Sequence, residues 1–133
     1  MENINHLAVI LSAFCSLILG AIWYSPILFY KTWKKENNLT DEQLKASSPA
    51  KSYLICFLLA LLMSYNMAFF LADSESDWQW GLIAGFLTGF GWAAAIFMVI
   101  AMFELKTWRY VAINSGYIII FFSLIGVIIG TWK

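Results

Sequence analysis

Charged residues are absent from four stretches of the chain, 7–30, 52–72, 78–103 and 110–132, and gathered in the short segments between them. Each stretch is as long as the roughly 20 residues that cross the hydrocarbon core of a bilayer. The pattern predicts an all-α membrane protein with four transmembrane helices at about 7–25, 51–72, 80–103 and 110–131, forming one domain over 1–133. The first span ends at Trp23-Tyr24-Ser25-Pro26, where two aromatics suited to a membrane interface precede a residue without an N–H. Ser25 and Pro26 read as the start of a short cytoplasmic amphipathic helix over about 26–35, with Leu28, Phe29, Tyr30 and Trp33 on one side and Lys31, Lys34 and Lys35 on the other. Further on, Thr40-Asp41-Glu42-Gln43 has the spacing of a capping box, and Ser48-Pro49 reads as the start of the second span.

Small residues recur every four positions within the spans. Ser12, Ser16 and Gly20 do so in the first, Ala60, Ser64, Ala68 and Ala72 in the second, and Gly81, Gly85 and Gly89 in the third; Gly126 and Gly130 close the fourth. Such faces let two helix backbones approach closely. The glycine ladder of the third span is the strongest of them, although the repeat leaves open whether its partner belongs to the same chain.

Composition agrees with the membrane reading. The chain is 62% hydrophobic and 12% charged with a mean hydropathy of +0.75, against about 25% charged in a soluble domain. A net charge of zero argues against a nucleic-acid partner, which calls for a basic surface. Cys15 and Cys56 both fall inside spans and read as small hydrophobes, and the lone His6 lacks the further donors that a metal needs, so no cofactor or metal is expected. Glu2 takes the place of the basic residues that open a signal peptide, so the first helix is expected to be retained.

Polar and aromatic groups within the spans are the candidate site. Asn66 needs a partner in hydrocarbon, and Thr88 at a similar depth is the expected one. Trp92 falls at mid-span and is read either as lining a cavity or as packed in the bundle with its N–H bonded to a neighbour. Asn114 and Ser115 stand in the first turns of the fourth span at nearly the depth of Tyr24 and Ser25, so the two clusters should meet, with Asn114 bonding the broken end of the first span through the Ser25 hydroxyl or a carbonyl freed by Pro26. Lys31, Lys34 and Lys35 are candidates for contact with lipid headgroups, or for a simple interfacial anchor. Glu104 could pair with Lys106 or Arg109, a surface contact of little worth.

Lys31, Lys34, Lys35, Lys45, Lys51, Lys106 and Arg109 fall on one side of the membrane and Lys133 on the other. Basic residues stay in the cytoplasm, so both termini and the acidic loop 73–77 are expected outside.

The motif Gly20-x-x-Trp23-Tyr24-Ser25-Pro26-x-x-Phe29-x-x-x-Trp33, with Phe103-Glu104 and Asn114-x-Gly116-Tyr117 further on, resembles a bacterial family of small integral membrane proteins, the domain of unknown function 1761. That resemblance covers most of the chain and implies a four-span protein of a bacterial cytoplasmic membrane, without implying an activity. The residues themselves favour a small oligomeric binder or transporter of a neutral or weakly polar ligand, lined by Trp23, Tyr24, Asn66, Thr88, Trp92, Asn114 and Tyr117. No ionisable group lies deep in a span, which argues against an ion-coupled pump. The alternative is a structural or accessory subunit that meets another membrane protein, or a second copy of itself, through its small-residue faces. An enzyme is not expected, because no nucleophile has a base beside it in the sequence pattern.

Overall fold

The computed structural model describes residues 4–73 and 75–132. Its helices are α1 (His6–Trp23), α2 (Tyr30–Glu36), α3 (Asp41–Ala46), α4 (Pro49–Phe70), α5 (Trp78–Thr88), α6 (Ala95–Phe103) and α7 (Trp108–Thr131), with a π-helical segment (Gly89–Ala94) joining α5 to α6. Among the described residues four helices are long and apolar enough to cross a membrane: α1, α4, the continuous Trp78–Phe103 and α7. The protein is therefore an all-α chain of the multi-pass membrane type. Glu2, Ser74 and Lys133, which entered the readings above, lie outside the described residues.

Each span begins one or two residues earlier than the hydropathy predicts, and for α1, α5 and α7 a polar residue just outside the apolar run supplies the helix cap. Asn5 accepts from Ala8 N at 3.1 Å, Asp77 from Trp80 N at 2.9 Å and Thr107 from Tyr110 N at 3.2 Å. Pro49 occupies the first turn of α4, where its missing N–H costs nothing. The capping box of α3 forms as its spacing predicts, Thr40 and Gln43 each bonding the other's backbone N–H. The helix expected from Pro26 starts later. Residues 25–29 form turns in which the Ser25 carbonyl accepts from both Leu28 N and Tyr30 N, and α2 begins at Tyr30 with no side-chain cap.

The tightest packing is between α5 and α7. A methyl group built on Gly81 or Gly126 would overlap the other's backbone carbonyl, one on Gly85 would overlap that of Phe122, and one on Gly130 would lie 2.5 Å from Asp77 O. The ladder of the third span thus finds its partner within the same chain, in the glycines of the fourth. Hydrocarbon solvates apolar side chains as well as another helix does, so helices associate there through close backbone packing, which these glycines permit.

The π segment keeps this interface in step. Gly81, Gly85 and Gly89 are buried at intervals of four, and the next buried position is Ala94, five further on. An unbroken α-helix would return Trp92, three residues after Gly89, to the glycine face. The wider i→i+5 turn sets the small Ala94 there and carries Trp92 outward, where it is 79% exposed.

On the other flank, α1 packs against α4 through Val9, Ser12, Ala13 and Ser16 on one side and Ala60, Ser64 and Ala68 on the other, all buried. Ala72, expected to extend that face, follows the end of α4. α1 also packs on α7, whereas α4 touches α7 lightly and α5 scarcely at all. The spans therefore stand in the order α4, α1, α7, α5, with α1 behind a gap that is left between α4 and α7.

Candidate functional site

At the end of the bundle that holds the C-terminus of α1 and the N-terminus of α7, the two parts of the motif form one cluster. Trp23 Nε1 donates to Ile113 O at 2.9 Å, and its ring lies over Gly116, where an added Cβ would come within 2.9 Å of it. Tyr24 Oη donates to Asn114 Oδ1 at 2.5 Å, while Asn114 Nδ2 donates to Tyr110 O at 3.1 Å. Asn114 thus meets the broken end of the first span as its depth predicts. Its partner is Tyr24 rather than Ser25, whose hydroxyl donates back to Ile22 O at 2.6 Å.

Aromatic contacts extend the cluster into α2. Trp23 packs on Phe29 with ring centroids 4.8 Å apart, and Tyr24 meets Trp33 at 5.8 Å and Tyr117 at 5.3 Å, both edge to face. Glu36 at the end of α2 accepts from the Thr107 hydroxyl that caps α7. α2 is therefore held against the start of α7. Lys31 and Lys35 remain exposed on its outer side, whereas Lys34 is hydrogen-bonded to Asp41, which raises its pKa. Among the described residues that is the one ion pair; Glu104 is exposed and pairs with neither Lys106, which lies over the Tyr110 ring, nor Arg109.

Above this cluster, the gap between α4 and α7 opens as three adjoining cavities. The inner one, about 380 Å³, is lined by Tyr24, Trp33, Tyr53 and Tyr117 with Gly20 and Cys56 at its back. A narrower one of about 170 Å³ continues from Cys56 and Tyr117 past Leu59, Phe121 and Phe122 to Met63. A third, about 280 Å³, runs on from Met63 and Phe122 to Asn66, Phe70 and Thr88. Shared lining residues make them one groove along the bundle, and every residue lining it is uncharged. Gly20 leaves room for the Tyr117 hydroxyl, which a Cβ there would meet at 3.1 Å.

Several expected site residues are arranged otherwise than the sequence implies. Asn66 and Thr88 share the outer cavity but do not bond each other, because the Thr88 hydroxyl donates to Ala84 O at 2.8 Å in its own helix. Trp92 lines none of the three cavities and faces outward from the π segment. Trp23 and Asn114 brace the inner end from behind the groove, while Tyr24 and Tyr117 line it. Tyr53, Cys56, Leu59 and Met63 were missed. They share the face of α4 beside its small residues, and spacings of three and four along that face are the signal that would have found them. At the opposite end, His6 Nδ1 is 2.9 Å from Tyr65 Oη, and Asn5 Nδ2 donates to Trp132 O at 3.3 Å, tying α1 to α4 and α7.

Neither the curated proteins nor the solved structures hold a match to this chain. A family model does match it, over residues 7–130, and those residues contain both halves of the aromatic cluster and the whole groove. By that match the chain belongs to the family described as protein of unknown function (DUF1761).

Proposed function

We propose that this protein binds, and in an oligomeric form carries, a neutral or weakly polar ligand in the groove between α4 and α7. The observation that supports this best is the groove itself, three adjoining cavities lined without a charge and furnished with phenols, an indole, a thiol and an amide. Pockets of this make-up, largely apolar with a few polar groups, are those that hold small molecules. We read it as a binder rather than an enzyme, since the one histidine is engaged with Tyr65 at the far end and has no nucleophile beside it. Native mass spectrometry of the protein released directly from membranes tests the reading. A small uncharged molecule should be retained by the wild type and lost from Met63→Trp and Leu59→Phe, whose added bulk fills the groove. An empty wild type, or retention unaffected by both variants, contradicts it.

The alternative, an accessory subunit that meets another membrane protein or a second copy, draws on Trp92. This large side chain projects from mid-span beside Gly91, around which a Cβ would meet nothing within 4 Å. A partner that protects Trp92, with an empty groove, would favour it.

In either case we place both termini outside a cytoplasmic membrane, on the asymmetry of seven basic residues against one. In a Cys15→Ala, Cys56→Ala background, an impermeant maleimide should label Glu75→Cys in intact cells and leave Ser47→Cys unlabelled; both sites are exposed. The reverse pattern inverts the orientation.

A further inference from the structure

Resting on the groove reading, the distribution of polar atoms within it points to a class of ligand. Of the phenols lining the inner cavity, Tyr24, just past the end of α1, spends its hydroxyl on Asn114, and Tyr53 stands exposed near the start of α4. Tyr117 directs its hydroxyl toward Gly20 at the junction of the inner and middle cavities, and that hydroxyl bonds to no described residue. It is a half-buried donor at the edge of a space that offers it no acceptor among the described residues, and a phenol in an apolar site ordinarily finds one. Beyond it the middle cavity narrows to Leu17, Leu59, Met63, Ile118, Phe121 and Phe122, a passage of hydrocarbon surface. From Cys56 to Phe70 the α4 side of the groove runs about 21 Å at 1.5 Å per residue, the reach of a long alkyl chain, and its far end passes Asn66 and Thr88. A wide polar mouth, an unpaired phenol where that mouth meets the middle cavity, and an apolar passage beyond it match a molecule with a small oxygen-bearing head and a single tail. A charged head would enter a site with no counter-ion and lose its hydration uncompensated.

We propose that the groove seats an uncharged single-chain amphiphile, such as a long-chain alcohol, ketone or ester, whose oxygen accepts a hydrogen bond from Tyr117 Oη while its chain lies between α4 and α7 toward Met63. The aromatic rings of Tyr24, Trp33 and Tyr53 enclose the head, and the cluster that braces Tyr24 fixes the mouth.

The test uses the full chain in phosphatidylcholine nanodiscs and a diazirine-bearing hexadecanol as the probe, with photo-adducts mapped by mass spectrometry. Adducts should fall on the stretch from Leu59 to Met63 and be competed by unlabelled hexadecanol. Hexadecyl sulfate and hexadecyltrimethylammonium, of equal chain length and opposite charge, should compete at least tenfold less well. Tyr117→Phe keeps the ring and should weaken competition by hexadecanol about five- to tenfold, the effect of one hydrogen bond, while competition by hexadecane, which has no oxygen, stays the same. Adducts confined to the groove but indifferent to Tyr117→Phe or to head charge would overturn the proposed seat and leave the groove reading standing. Adducts scattered over lipid-facing residues and not competed would overturn both. Should Tyr117→Phe fail to fold, the head-charge series in the wild type decides the point, since equal competition by all three heads contradicts the proposal.

Discussion

α7 meets two neighbours in opposite ways. Against α5 the crossing is backbone on backbone: Gly81 meets Gly126 and Gly130, and Gly85 meets the backbone of Phe122 and Ser123. Against α4 it offers Tyr117, Phe121 and Phe122, and α4 answers with Cys56, Leu59 and Met63, so the helices stand apart and a groove remains. Both interfaces form in the same solvent, and apolar side chains gain little by leaving lipid for each other. Small residues therefore decide which helices close. α4 has such residues in Ala60, Ser64 and Ala68, but they face α1. The side of α4 that faces α7 is lined with larger ones, and the opening follows from that choice of faces.

The sharpest way to break this comparison is to give the closed interface the bulk of the open one. Gly85→Leu should destabilise the fold by about 3 kcal/mol or more, the upper end for overpacked sites, because the added side chain meets the Phe122 backbone rather than a movable side chain. Unfolding in a denaturing detergent measures this, and an unchanged midpoint would mean that α5 does not cross α7 there. Gly116→Val should have a smaller effect, about 1–2 kcal/mol on the same scale, since it meets the Trp23 ring, which can shift.

Asn114→Leu removes the acceptor of the Tyr24 hydroxyl and should cost about 0.6 kcal/mol, the average for hydrogen bonds between membrane helices. The clearer sign is mobility. A spin label at Lys34 should move more freely once Tyr24 no longer holds the turn leading to α2, and an unchanged spectrum would show that Glu36 and Thr107 hold α2 alone. Met63→Trp should have the smallest effect on stability, within about 0.5 kcal/mol as for a surface substitution, because Met63 is only half-buried at the edge of the core and the groove has room for the ring. A large loss there would mean that the groove is packed shut.

How much of this was legible in the sequence depends on the side chain. The spans were legible because lipid excludes charge, and the glycine ladder because only glycine permits such an approach. Polar pairings were legible to within a turn, and failed in a consistent way. Ser25 and Thr88 have hydroxyls close enough to their own helix to donate to the Ile22 and Ala84 carbonyls, so neither reaches across. Tyr24 and Trp23 hold their polar atoms too far from their own backbone for that, and they make the long-range bonds instead. Trp92 was misplaced for a different reason. Hydropathy locates depth, but a single π turn changes which face a residue occupies, and nothing in Gly89-Phe90-Gly91-Trp92 announces it beyond the small Ala94 five residues past Gly89. The groove went unseen because its α4 wall consists of residues that look, one by one, like ordinary lipid-facing side chains.

The central claim, that α4 and α7 stand apart around a bound molecule, is tested most directly by a density map of the protein in lipid nanodiscs, with an antibody fragment for size. The account predicts an elongated non-protein feature running from the Tyr24, Trp33 and Tyr53 rings past Tyr117 to Met63, with backbone contact between α5 and α7 intact. Side chains of α4 closed onto Phe121 and Phe122 with no intervening density would contradict it.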